Sequence, residues 1–142
     1  MPENLKKQAF NIVRKRNLCS YMNDTKWNEL RNAMLYEMPF PPAYVMKTLF
    51  ENECPDEKSL LKPTYHGDWY DEFSYGEYFN GGFAIEWLKI NPRFLKHRGC
   101  LIEPEVVDAS SEFENILKKY NIPYENQNGI YCIFGYKKEV IL

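Results

Sequence analysis

No stretch of this 142-residue sequence is long and apolar enough to cross a bilayer. The amino terminus, MPENLKKQAFNIVRKRNL, is broken by charge where a secretory signal would hold an apolar run, so the compartment expected is the cytoplasm. Cys19, Cys54, Cys100 and Cys132 lie far apart with no CxxC pair, which argues against a zinc ribbon or a redox dithiol. In a reducing compartment they read as plain thiols. There is no Gly-x-Ser-x-Gly elbow, and neither His66 nor His97 can be tied to a cysteine, so nucleophilic catalysis has no sequence support. Asn80-Gly81-Gly82 lacks the Lys-Ser/Thr pair and the strand-to-helix setting of a phosphate loop. Internal repeats and low-complexity tracts are missing too. From Pro63 to Leu88 there is no lysine or arginine.

What is there suits one globular domain, residues 1–142, with enough chain to build a core without disulfides or metal. Aromatic residues reach 16%, so the rings must either thicken a core or furnish an interface. The net charge of −2 hides a gradient. Lys6, Lys7, Arg14, Lys15 and Arg16 gather at the amino terminus, whereas Asp68, Asp71, Glu72, Glu77 and Glu86 fall in the segment without basic residues. Such fields select partners and speed their approach without deciding the fold.

Hydrophobic periodicity orders the elements. A helix is expected from about Glu3 to Asn17, with Leu5, Ala9, Ile12 and Val13 on one side. Asp24 or Thr25 would cap a second helix carrying Trp27, Leu30, Met34 and Met38, which the prolines at 39, 41 and 42 must end. Ala43–Phe50 reads as a strand, with a short helix after Pro42 as the alternative. Residues 51–63 read as a loop with a helical turn at DEKSLL, and GFAIEWLKI as the clearest strand. NPRFLKHRG is expected to turn the chain, followed by a short strand or pair broken by Pro104. Ser111 and Glu114 suggest a capping box before Phe113, Ile116, Leu117 and Tyr120, and Asn128-Gly129 suits a tight hairpin turn. The fold class is therefore α+β: a mainly antiparallel sheet with helices packed on one face.

Three kinds of chemistry compete for the unusual middle segment. His66, Asp68, Asp71 and Glu72 offer ligand atoms, but one histidine falls short of a zinc set and the acids do not follow the calcium-loop spacing. No metal and no cofactor is expected. Carboxylates beside rings, Asp68 with Trp69 or Glu86 with Trp87, could divide acid and base roles in a dry pocket. The simpler reading makes Glu86 a polar-face residue of its strand and Asp68 a turn residue. Protein recognition fits the composition best. Asp68, Trp69, Tyr70, Asp71, Glu72, Tyr75, Glu77 and Tyr78 interleave rigid rings, which bury much area for little rotamer entropy, with acids that steer a basic partner. The competing reading is that the rings between Tyr65 and Phe83 anchor a loop on the sheet.

The segments NDTKWNELRNAM, PFPPAYVMKTL, HGDWYDE, IEWLKINPR and IPYE…GYK, in that order, resemble a family of small bacterial proteins catalogued as a domain of unknown function. The resemblance covers about residues 20–137, with residues 1–18 as an added helix. It implies a stand-alone domain in the bacterial cytoplasm and an association with small acidic antitoxin or immunity proteins. The expected function is thus a non-enzymatic protein-binding module of immunity type, meeting a basic toxin domain through the acidic aromatic face. A small hydrolase using the carboxylates with His66 is the alternative. Nucleic acid binding through the basic first helix is a third reading, against which the acidic balance weighs. No membrane partner is expected.

Overall fold

The computed structural model describes residues 2–69 and 82–138. Its helices are α1 (Pro2–Lys15), α2 (Asp24–Tyr36), α3 (Lys58–Leu61) and α4 (Ser110–Lys119). Its strands are β1 (Leu18–Ser20), β2 (Ala43–Thr48), β3 (Ile85–Asn91), β4 (Arg93–Lys96), β5 (Glu105–Asp108), β6 (Glu125–Gln127), β7 (Ile130–Phe134) and β8 (Tyr136–Lys138). The fold is α+β, and every strand pairing is antiparallel. A four-stranded sheet ordered β2-β3-β7-β6 forms the centre, flanked by the two-stranded ribbons β1-β8 and β4-β5.

The main core lies where α2 and α4 cover one face of that sheet. Leu88 stands opposite Ile133 and Ile90 opposite Tyr131, so the four side chains share a face. Trp27, Leu30 and Met34 of α2 and Phe113, Ile116 and Leu117 of α4 close over them. The Phe113 and Tyr131 rings meet edge to face with centroids 5.1 Å apart. On the opposite parity of β3, Lys89 pairs with Glu57 at 2.7 Å and Asn91 donates to the Leu60 carbonyl at 2.8 Å, which brings α3 to the second face.

Several local expectations meet corrections here. The N-cap of α2 is Asn23, not Asp24 or Thr25. Its extended backbone aims Oδ1 at the Lys26 amide, 2.8 Å away, and leaves Asp24 in the first turn, where a negative charge suits the helix dipole. The capping box at Ser111 and Glu114 does not form. Asp108 instead accepts the Ser110 amide at 2.9 Å, while the Glu114 carboxylate takes the hydroxyls of Tyr124 and Tyr131. The NPRFLKHRG segment supplies a strand, β4, because Arg93 to Lys96 find partners in Asp108 to Glu105 just beyond Pro104. At the β6-β7 turn, Asn128 (φ 56°) and Gly129 (φ 90°) adopt the positive angles that a tight hairpin requires.

One irregularity shapes the rest. Lys47 pairs with Trp87 and Thr48 with Ile85, so Glu86 is an extra residue in β3, a β-bulge. The bulge reverses side-chain parity, which keeps Ile85 in the same core as Leu88 and frees Glu86 to turn elsewhere. Gly135 lies against it, donating its amide to the Glu86 carbonyl at 2.9 Å. A Cβ at position 135 would sit 2.0 Å from the Ile85 carbonyl oxygen, so the chains can approach this closely only at glycine.

Candidate functional site

Of the residues expected to meet a partner, Asp68 and Trp69 are within the described structure; Tyr70, Asp71, Glu72, Tyr75, Glu77 and Tyr78 lie outside it. Asp68 is exposed, and its carbonyl accepts the Tyr44 hydroxyl at 2.6 Å. Trp69, expected as an interface anchor, is a core residue with 1% exposure. Its indole N–H donates to the Pro42 carbonyl at 2.8 Å and its ring sits 4.6 Å from that of Tyr44. A buried indole requires an acceptor for its one donor, and the proline-rich connector supplies it. Gly67 makes the approach possible, since a Cβ there would lie 2.1 Å from the same carbonyl oxygen.

His66 remains at the surface, its ring stacked on Phe40 with centroids 5.8 Å apart and tilted against Phe94 of β4 at 4.6 Å. Among the described residues, no carboxylate hydrogen-bonds to it. The contact with Phe94, together with the Leu95 amide donating to the Pro63 carbonyl at 2.9 Å, fastens the start of the acid-rich segment to the β4-β5 ribbon. That ribbon and its connecting loop carry three exposed large apolar side chains. Leu101 is 99% exposed, Ile102 56% and Val106 58%. The Arg98 guanidinium donates to the Glu103 carbonyl at 2.9 Å and so closes the loop beneath Leu101 and Ile102.

A second constellation was not visible in the sequence. Glu86, read as a polar-face residue, is buried, and its two oxygens accept the Arg16 guanidinium at 2.8 and 3.0 Å. Lys47, also buried, approaches one of the same oxygens at 2.6 Å and directs further protons at the carbonyls of Glu51 (3.1 Å) and Thr48 (3.3 Å). Burial pushes the Glu86 carboxyl up, but the hydrogen bonds from Arg16 and Lys47 outweigh it and hold the group below the usual carboxylate range. The trio borders a cavity of about 560 Å³ whose walls include Phe50, Cys54 and Trp87. Both carboxylate oxygens and all three ammonium directions are engaged, so neither group is poised as a base or a nucleophile. The trio instead pins the end of α1 to the bulge. The available signal was charge inside two apolar runs, Lys47 alone in AYVMKTLF and Glu86 in GFAIEWLKI.

Among the described residues, no helix is long and apolar enough to cross a membrane, and no three His, Cys, Asp or Glu side chains gather to hold a metal ion. No curated protein and no solved structure matches the chain. A family model does match, over residues 9–140, and so begins inside α1, earlier than residue 20. With nearly the whole sequence covered, the chain belongs to that family, a family of unknown function, DUF6678.

Proposed function

We propose that this protein is a non-enzymatic protein-binding module and that the β4-β5 ribbon and its connecting loop, to which Pro63 and His66 are fastened, form the docking face. The observation that carries this reading is the exposure of Val106 on β5 and of Leu101 and Ile102 in the loop that joins β4 to β5. Large apolar side chains grouped at a surface lose water favourably when a partner covers them, at roughly 25 cal/mol per Å² of apolar area. The charges best placed for chemistry, Glu86 and Lys47, neutralise each other internally. The narrower reading is an immunity-type inhibitor of a basic toxin domain in the bacterial cytoplasm. Its support is the sequence from Pro63 to Leu88, which holds Asp68, Asp71, Glu72, Glu77 and Glu86 and neither lysine nor arginine.

The test is affinity capture from the native cell with wild-type protein, the pair Leu101→Ser with Ile102→Ser, and the quadruple change of Asp68, Asp71, Glu72 and Glu77 to Asn or Gln. The serine pair should lose the partner. The quadruple change should slow association and flatten its salt dependence. A partner held equally by all three proteins overturns the reading.

A further inference from the structure

At the far edge of the central sheet, a small cavity of about 120 Å³ opens between Tyr21, Pro123, Tyr124, Glu125, Phe134 and Lys137. At roughly 30 Å³ per water it holds about four waters, too little for a drug-sized ligand but enough for one side-chain or headgroup terminus. Its walls are rings held from different elements. Tyr21 follows β1, and its backbone amide donates to the Gly135 carbonyl at 3.0 Å. Phe134 ends β7 opposite Trp87. Tyr124 rests 5.7 Å from the Tyr131 ring, and its hydroxyl donates to Glu114 at 3.3 Å.

The group already placed against these walls is a cation. The Lys137 ammonium lies 4.9 Å from the centroid of the Phe134 ring and pairs with the Glu125 carboxylate. A ring face and a carboxylate converging on one ammonium is the arrangement that also attracts methylated ammonium groups and guanidinium, through the ring quadrupole and the acid's charge. Lys137 and Glu125 are both partly solvent-exposed, with side chains 40% and 44% accessible, so the lysine can swing into water and leave the rings and acid in place.

We propose that the Tyr21, Tyr124, Phe134 and Glu125 cavity is a binding site for an organic cation, with Lys137 as its intramolecular competitor. The site is separate from the ribbon face and stands or falls independently of it. Choline represents a free quaternary amine, and N-acetylarginine amide represents a cationic side chain from a peptide; each is titrated against the full chain while the tyrosine and phenylalanine ring resonances are followed. The uncharged isostere of choline, 3,3-dimethylbutanol, is the control.

Lys137→Gln should bind at least one of the two cations about tenfold more tightly than wild type. The cation that gains more identifies the source chemistry. Adding Glu125→Gln or Phe134→Leu to Lys137→Gln should remove that gain, and the leucine keeps apolar volume so that the loss reports the ring face. A backbone amide spectrum superimposable on wild type shows that each variant is folded. Equal responses to choline and its neutral isostere, or no tightening in Lys137→Gln, overturn the proposal.

Discussion

Arg16 grips Glu86 through two parallel hydrogen bonds of 2.8 and 3.0 Å, joining the residue just past α1 to a bulge seventy positions later in the chain. Lys47 completes the trio from the neighbouring strand. The arrangement has a definite energetic signature, because removing one member of a buried set leaves the others uncompensated.

Glu86→Gln should destabilise the protein by about 3–5 kcal/mol, since it leaves the buried Lys47 ammonium without its counter-charge. Arg16→Ala should cost no more than about 1 kcal/mol, because that side chain is 44% exposed and water screens it. Urea unfolding distinguishes the two through shifts in midpoint at constant slope. Equal, small effects would show that the trio is incidental to stability.

The same carboxylate sets a pH dependence. Its folded-state pKa lies below the ordinary 4.5, so the unfolded chain takes up the proton first. The stabilisation is therefore present in full above 4.5 and lost as pH falls below it through the lower folded value. The difference in unfolding free energy between wild type and Glu86→Gln should be constant near neutrality and shrink in acid. A difference that grew on acidification would contradict the assignment.

Trp69 offers a test between core and anchor. Trp69→Ala should cost about 3–5 kcal/mol as a core truncation. Trp69→Phe should cost about 1–3 kcal/mol, because the Pro42 carbonyl loses its donor in a buried place. Thermal melts check both. A fully stable Trp69→Ala would return the ring to the surface role first expected of it.

Gly135→Ala should destabilise by about 1–3 kcal/mol or more through overpacking, since its methyl would meet the Ile85 carbonyl oxygen. Gly99→Ala meets no neighbouring atom within 4 Å, although its φ of 131° is unfavourable for a side chain, and serves as the comparison. A larger loss at 99 than at 135 would place the cost in backbone strain, not in close approach.

Thiol chemistry should divide the cysteines. Cys54 and Cys100 are exposed and should react quickly with a disulfide reagent in the native protein. Cys132 is buried, and burial pushes its thiol up to about 11, so it should react only on unfolding. Rapid native modification of Cys132 would indicate an opening of the central sheet.

Helical spacing in α2 and α4, the existence of β3 and the Asn128-Gly129 turn were legible from neighbours alone, because each depends on positions a few residues apart, whereas the bulge at Glu86 broke the strict alternation expected along β3. Glu114 shows the limit. Its spacing from Ser111 suits a capping box, yet two tyrosine hydroxyls from the β6-β7 region reach the carboxylate instead. The β4-β5 ribbon was half legible: Pro104 marked an interruption, but the pairing that makes 93–96 a strand comes from residues on its far side.

From its residues alone this protein takes its α+β class, its helix faces and its charge gradient, all of which follow from local periodicity and composition. Tertiary structure decided that Trp69 is core, that Glu86 is an internal counter-ion and that Leu101 is left at the surface. The physical reason is that burial of a ring or a charge depends on the acceptor or counter-charge brought to it from afar. Pro42 and Arg16 are those partners here, and no spacing within the chain announces either meeting.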